Sequence, residues 1–129
     1  MLKGRRATTH WASFHLLSYF GAIPVNERVV VDGAWVFAAG VTAGIDGALR
    51  LAAELRGEEA AQAIQLDMVY APEPLFDSGT PETAPPAIVE QARRSVRALT
   101  AQRERTARRI AAQLGIAQPL TPGLAFGGM

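Results

Sequence analysis

The sequence predicts an α/β domain, and two stretches of the chain carry this prediction. Two apolar runs, residues 28–31 and 34–37, flank the dipeptide Asp32-Gly33, which tolerates two positive φ angles and suits a tight β-hairpin. Residues 40–46, from Gly40 to Asp46, follow the second run directly and open a helical pattern. Strand, glycine turn and helix in this order occur at the ligand-facing edges of open α/β sheets.

Helical spacing of apolar residues predicts four helices, over 11–20, 41–56, 58–69 and 87–114. Five prolines between residues 71 and 86 forbid regular helix and predict a loop there. Two apolar stripes are expected to face the core: Val41, Ile45, Ala48, Leu49, Ala52 and Leu55 in the second helix, and Ile88, Ala92, Val96, Leu99, Ile110 and Leu114 in the fourth. The domain is expected to occupy 1–115, with a flexible tail over 116–129.

Composition excludes several classes of site. The chain has 129 residues, 49% of them apolar, and a net charge of +1, so strong electrostatic steering of an anionic partner is not expected. It contains no cysteine, which excludes disulfides, thiolate metal sites and a cysteine nucleophile within this sequence. Neither metal nor cofactor is expected. A membrane-spanning helix needs a run of about 20 apolar residues, and the sequence contains none, so a cytoplasmic protein is expected.

His10 is the sharpest candidate for chemistry. A short strand is expected over 7–10, and the first helix follows at once, so His10 would lie where a strand ends and a helix begins. Histidine can act there as acid, base or hydrogen-bond donor. The alternative is a partly buried structural histidine that is satisfied by Thr9 or by a backbone carbonyl.

The glycine turn supplies weaker candidates for ligand binding. Gly40 is expected to turn the chain with positive φ, and Gly44 to permit a close backbone approach. Thr9, Gly40 and Thr42 are the candidate ligand-binding residues, although a structural hydroxyl also explains Thr42. Packing alone also accounts for two glycines at this spacing.

The fourth predicted helix carries seven arginines over several faces, together with Glu90 and Glu104. No aromatic residues interleave with the arginines, so nucleic-acid binding is not expected. On the second helix Asp46, Arg50 and Glu54 recur every four residues and are expected to form its solvated outer face.

Three motifs resemble the ThiJ/PfpI superfamily, the flavodoxin-like domains related to class I glutamine amidotransferases. They are GRRATTHW at 4–11, NERVVVDG at 26–33 and GVTAGID at 40–46. The segments AAELRGEEAA at 52–61 and FDSGTPE at 76–82 are similar to the isonitrile hydratase branch. The resemblance implies the C-terminal portion of a flavodoxin-like sandwich, with a short strand, a β-hairpin and about four helices.

The resemblance also implies a reaction. Family members of this branch use a cysteine thiolate to hydrate isonitriles to N-substituted formamides, and the histidine that matches His10 lies beside that cysteine. There it tunes or orients the thiolate or a bound water. The cysteine precedes the segment that matches 6–10 and is absent from this sequence. The chain is therefore expected to be a fragment that lacks the N-terminal half of the domain and is inactive alone.

Two other functions stay open. One is the ligand-sensing domain of an AraC-type transcription regulator, although residues 115–129 are too few for a helix-turn-helix region after the last helix. The other is a non-catalytic dimerisation module, because superfamily members commonly form homodimers. The expected partners are thus a small isonitrile or related electrophile and a second copy of the chain.

Overall fold

The computed structural model describes residues 1–117. These residues form an α/β unit with four short strands, one 3₁₀ helix and three α-helices, which confirms the predicted fold class. In chain order the elements are β1 (Arg6–Ala7), the 3₁₀ helix (Trp11–Phe20), β2 (Ile23–Pro24), β3 (Val29–Asp32), β4 (Trp35–Ala38), α1 (Val41–Arg56), α2 (Glu58–Asp67) and α3 (Pro86–Gln113).

Strands β1 and β2 form a two-residue parallel pair in which Arg6 faces Ile23 and Ala7 faces Pro24. The strand predicted over 7–10 is therefore wrong in its bounds, since only Ala7 of those residues lies in it. Ile23 N–H donates to the Arg5 carbonyl at 2.7 Å and Val25 N–H to the Ala7 carbonyl at 2.9 Å, so the missing N–H of Pro24 lies on the side away from β1 and costs this ladder no bond. Residues 8–10 leave the sheet and lead into the 3₁₀ helix.

Strands β3 and β4 form the predicted hairpin, with Val30 opposite Phe37 and Asp32 opposite Trp35. The turn is shifted by one residue from the prediction, because Asp32 stays in the ladder and Gly33-Ala34 make the loop. Gly33 has φ 61°, the positive φ that a type II′ turn needs at its first central position, and Ala34 is not left-handed.

The predicted helix over Trp11–Phe20 is present, but as a 3₁₀ helix. Gly21 ends it with φ 71°, the left-handed cap that glycine adopts at low cost. Its inner face packs on the C-terminal half of α3. The buried members of this cluster are Leu16, Tyr19, Ala107 and Ala111, with Phe20 and Ile116 packed against them.

Helix α1 packs on the hairpin through small residues rather than through the predicted apolar stripe. A Cβ added at Gly47 would lie 3.3 Å from Ala38 Cβ, whereas one added at Gly44 would meet nothing within 4 Å. The close approach predicted at Gly44 is thus made at Gly47, one helical turn later. Ala43 and Gly47 are buried, while Val41 of the predicted stripe is 92% exposed.

All members of that stripe except Leu55, which is 71% exposed, line a groove of about 460 Å³ between α1 and α2. No polar side chain lines it, and its lining residues are Val41, Gly44, Ile45, Ala48, Leu49, Ala52, Ile64 and Met68. The stripe predicted for α3 is correct only in part. Ala92, Val96 and Ile110 are half-buried, but Ile88, Leu99 and Leu114 are exposed, and the buried residues of α3 are Ala107 and Ala111. The helical spacing of apolar residues predicted the apolar face of α1 correctly. It could not predict that no other element among residues 1–117 fills the groove beside this face.

The described chain divides into two packed regions. The hairpin region is residues 28–70, in which α1 packs on the hairpin and α2 packs on α1. The long-helix region is residues 1–27 and 86–117. Phe37 of the hairpin packs against the buried residues Ala7, Leu17 and Ala22 of the long-helix region. Asp32 adds polar contacts between the regions, since its Oδ2 accepts from Arg6 N–H at 3.3 Å and lies 3.6 Å from Arg5 Nη1. The Arg5 guanidinium also sits 5.9 Å from the centroid of the Trp35 ring.

Residues 71–85, between α2 and α3, hold no helix or strand, as the prolines predict. No helix within residues 1–117 is both long and apolar enough to cross a membrane. The domain boundary at residue 115 stays a prediction. Of the predicted tail, residues 118–129 lie outside the described part of the chain.

Candidate functional site

His10 caps the start of the 3₁₀ helix. Its Nδ1 accepts a hydrogen bond from Ala12 N–H at 3.2 Å, and its carbonyl accepts from Ser13 N–H at 2.9 Å. Its ring lies 5.1 Å from the Trp11 ring, centroid to centroid. The backbone and one ring nitrogen are thus fixed, while the other ring nitrogen, Nε2, has no hydrogen-bond partner among residues 1–117.

Gly40 lies beside the open edge of the His10 ring. A Cβ built at Gly40 would be 3.9 Å from His10 Cδ2, the ring carbon bonded to Nε2. The structure therefore brings together these two predicted site residues, 30 positions apart in sequence. The backbone reason given for Gly40 is wrong, because its φ of 161° is extended and open to any residue.

Thr9 and Thr42 lie apart from this edge of the ring. Thr9 lines a mostly apolar groove of about 480 Å³ between the 3₁₀ helix and α3, where Leu16, Phe20 and Leu99 form part of the wall. The Thr42 hydroxyl instead accepts from Arg28 Nη2 at 3.1 Å, on the hairpin. Ligand binding by Thr9 and Thr42 thus stays a prediction, and neither side chain contacts His10 in any hydrogen bond of the described chain.

Thr8, next to the candidate Thr9, is not among the residues predicted from the sequence. It is only 4% exposed, and its Oγ1 has no hydrogen-bond partner among the described residues. An unsatisfied buried hydroxyl costs about 1–3 kcal/mol. Sequence could not identify it, because Thr8 and Thr9 are the same residue type side by side and only the fold buries one of them.

A polar network on the hairpin side was also missed by sequence reasoning. Asp46 accepts from Arg28 Nε through one carboxylate oxygen and from the Tyr70 hydroxyl, at 2.7 Å, through the other. Burial by itself would raise the pKa of Asp46, but hydrogen bonds from Tyr70 and Arg28, with the charge of Arg28, hold that pKa below its usual value. Asp46 therefore does not belong to the solvated series that was predicted, in which only the Arg50–Glu54 pair forms, at 2.8 Å.

The backbone before Tyr70 is strained. Val69 has φ 51°, which is an outlier for a β-branched residue, and its side chain is 83% exposed. This turn directs the chain after α2 back towards α1, where Tyr70 reaches Asp46. The strain thus accompanies a hydrogen bond that joins the end of α2 to the first turns of α1.

Three arginines of α3 contact the 3₁₀ helix. Arg93 lies 5.7 Å from the centroid of the Trp11 ring, Arg103 Nη1 donates to the Ser13 hydroxyl at 3.2 Å, and Arg108 lies over Tyr19. The Arg108 hydrogen bond holds the pKa of Glu104 below its usual value, against burial that raises it. These contacts engage part of the basic surface of α3 within the chain.

His15 lies 3.9 Å from Glu104 through its Nε2. Within residues 1–117 no group of three or more His, Asp or Glu side chains is placed to hold a metal ion. Of the two histidines, His10 is the one whose ring lies beside Gly40 at the start of α1, whereas His15 lies near Glu104 on α3.

Comparisons with known proteins assign the family. No family model matches the chain. The chain is 51% identical over 116 residues to an isonitrile hydratase of Pseudomonas putida, a match that covers 90% of this chain and 51% of that protein. Its fold resembles the crystal structure of a ThiJ/PfpI family protein from Pseudomonas syringae with a TM-score of 0.79 and 40% identity, over 82% of this chain and 44% of that one.

The chain belongs to the ThiJ/PfpI superfamily. It spans about half the length of the curated relative that it matches. The described site of this superfamily member consists of a fixed histidine, His10, beside the start of α1, with the buried Thr8 hydroxyl two residues before it. These groups can donate hydrogen bonds and orient a reactant, but none of them is a strong nucleophile.

Proposed function

We propose that this chain forms the histidine-bearing part of an isonitrile hydratase-like protein, in which a cysteine outside this sequence supplies the nucleophile. The observation that carries the proposal is the 51% identity with isonitrile hydratase over 90% of the chain. The position of His10 supports it, because a fixed ring with one open edge suits a group that orients a reactant beside it.

The proposed reaction begins when a thiolate attacks the terminal carbon of an isonitrile. A C–S bond forms and the same carbon takes up one proton, which gives a thioimidate. Water then adds across the C=N bond, so that the carbon gains the hydroxyl group and the nitrogen gains a proton. The C–S bond breaks as the hydroxyl proton is released, which gives an N-substituted formamide, the thiolate and one proton in place of the one taken up. The net change is the addition of one water molecule, so the reaction needs no oxidant or reductant.

The proposal includes inactivity of the 129 residues alone. They contain no cysteine, and the hydroxyl groups of Thr8 and Thr9 are too weakly acidic to act as nucleophiles without a base. Neither hydroxyl is hydrogen-bonded to either histidine in the described chain. Activity is thus expected only when a cysteine-bearing segment completes the domain.

The proposed protein works as a homodimer in the cytoplasm on a small isonitrile. The apolar groove between α1 and α2, whose members Ile64 and Met68 are 43% and 50% exposed, supports the dimer. The same groove favours a second candidate function, a non-catalytic dimerisation module. The two functions differ in whether the completed protein turns over substrate.

The test joins this chain to the portion of the Pseudomonas putida isonitrile hydratase that it does not match. Formamide release from an isonitrile is measured for the joined protein, for its cysteine-to-alanine variant and for the 129-residue chain. Of the three proteins, only the joined protein with its cysteine is expected to release formamide. Formamide release by the isolated chain would contradict the proposed role of the cysteine, and an inactive but folded and dimeric joined protein would favour the dimerisation module.

A further inference from the structure

The hydrogen bond at the start of the 3₁₀ helix determines where the neutral His10 ring carries its proton. Ala12 N–H donates to Nδ1 at 3.2 Å, so Nδ1 must offer a lone pair and cannot hold a hydrogen itself while that bond exists. A neutral imidazole carries one proton, which therefore resides on Nε2. The backbone thus fixes the tautomer, as partner groups do for histidines at other sites.

We propose that His10 acts in the hydratase-like site as a neutral hydrogen-bond donor through Nε2–H, a positioning residue that neither accepts nor releases a proton during turnover. This inference rests on the proposed function and assigns the role of its histidine. The atom that accepts the hydrogen bond from Nε2–H carries negative charge, and in the proposed reaction it is the thiolate sulfur.

Acid–base roles are incompatible with the bonding of this ring. Nε2 cannot act as a base, because it already carries a proton. It cannot act as an acid either, because release of that proton from the neutral ring would leave an imidazolate. Protonation of Nδ1 would place its new hydrogen against Ala12 N–H and break the helix cap. A donor that keeps its proton needs neither change.

The open edge of the ring is placed for such a contact. The ring carbon Cδ2, which is bonded to Nε2, faces Gly40, and a Cβ built on Gly40 would lie 3.9 Å from it. His10 is exposed in the described chain. No residue between 1 and 117 accepts from Nε2. A fixed donor of this kind costs little reorganisation when negative charge arrives or builds up.

The tautomer is tested first in the full 129-residue chain by long-range ¹H–¹⁵N NMR of the histidine rings near neutral pH. His15, whose Nδ1 has no such bond in the described chain, is the internal control, and His15→Gln assigns the two spin systems. A protonated Nε2 and an unprotonated Nδ1 in His10 are expected. A protonated Nδ1, or a mixture of tautomers equal to that of His15, would overturn the proposal.

Two substitutions then separate the cap from the donor. His10→Asn keeps an acceptor for Ala12 N–H, because asparagine is a strong N-cap, but removes the distal N–H. His10→Gln places an amide N–H near the position of Nε2 and weakens the cap. We expect the Asn variant to keep the melting temperature and the Gln variant to lower it by a few degrees.

In the joined protein the expected order of turnover is the reverse. The Asn variant should lose about 100–1000-fold in kcat, the range for removal of one fixed donor, whereas the Gln variant should retain most of it. If the Asn variant instead keeps its turnover and the Gln variant loses it, in the same order as their melting temperatures, His10 has a purely structural role. If the joined protein is folded but inactive, the proposed function fails, while the NMR result still decides whether His10 presents a donor.

Discussion

The hairpin region and the long-helix region each contain a tyrosine, a carboxylate and an arginine in contact, but the two sets are held differently. In the hairpin region the Tyr70 hydroxyl donates to Asp46 at 2.7 Å and the tyrosine is half-buried. In the long-helix region Tyr19 is 3% exposed and its hydroxyl reaches Glu104 only at 3.3 Å. Polar contacts therefore hold the first tyrosine, and apolar burial holds the second.

The arginines differ in the same way. Arg28 reaches Asp46 from 18 residues away, so that contact joins the hairpin to α1. Arg108 and Glu104 are four residues apart on α3, and their contact at 2.6 Å lies within one helix. Loss of the first pair loosens the packing between the hairpin and α1, whereas loss of the second weakens a helix pair and its contacts with Tyr19.

The largest expected effect separates the two tyrosines. Tyr19→Ala should lower the free energy of unfolding by about 3–5 kcal/mol, as for other large buried side chains, while Tyr19→Phe should change it little. Tyr70→Phe should cost about 1–2 kcal/mol, because it removes a hydrogen bond to a charged group, and Tyr70→Ala only slightly more. Urea denaturation of the four variants measures these differences.

Equal costs for the two phenylalanine variants would break the distinction. A large cost for Tyr19→Phe would show that the long bond to Glu104 stabilises that region, contrary to its geometry.

The second expected effect concerns acid. The pKa of Asp46 and that of Glu104 are both depressed in the folded chain, so their stabilisation is present above the usual carboxyl values of about 4 and is lost as pH falls through the folded values. Asp46→Asn should cost about 2 kcal/mol at pH 7. Glu104→Gln should cost about 0.5 kcal/mol, since its main partner, Arg108, is a half-exposed neighbour on the same helix.

Urea midpoints measured from pH 7 to pH 2 check this. The wild-type midpoint should stay level down to about pH 5 and then fall, and the Asp46→Asn curve should converge with it in acid. A constant gap between the two curves at all pH values would contradict the proposed ionic role of Asp46.

The smallest expected effect tests how α1 sits on the hairpin. Gly47→Ala should destabilise the chain by about 1 kcal/mol, because the new methyl group meets Ala38 at 3.3 Å in a packed layer. Gly44→Ala, on the open side of the same helix, should stabilise it by about 0.5–1 kcal/mol through helix propensity alone. Thermal melts of the two variants should therefore shift in opposite directions, and a shared sign would place the interface elsewhere on α1.

Local signals in the sequence were enough for most elements. The hairpin, the start of α1 at Val41 and the cap at Gly21 follow from short-range residue chemistry, and the structure has all three. Strand β2 was missed, because a two-residue strand has no period to detect. The 3₁₀ geometry of residues 11–20 was missed too, since its apolar spacing also fits an α-helix.

The site was harder to predict, since its contacts are long-range. His10 was identified from its place between a strand and a helix, yet its meeting with Gly40 depends on how α1 is oriented. The network of Arg28, Asp46 and Tyr70 joins residues 18 and 24 positions apart, and a four-residue period suggested a different partner for Asp46. Spacing arguments rank neighbours on one helix and carry no information about neighbours across elements.

The length of α3 has a mechanical consequence. Its 28 residues span about 42 Å, whereas the ten-residue 3₁₀ helix beneath it spans about 20 Å, so the buried contacts at Ala107 and Ala111 lie near one end. Ile88 is 19 residues from Ala107, about 28 Å along the helix axis, and between them the long side chains of Arg93 and Arg103 contact the 3₁₀ helix. A pivot of about 10° at the buried end would displace the Ile88 end by about 5 Å, so small repacking around Tyr19 is amplified at the far end of the helix.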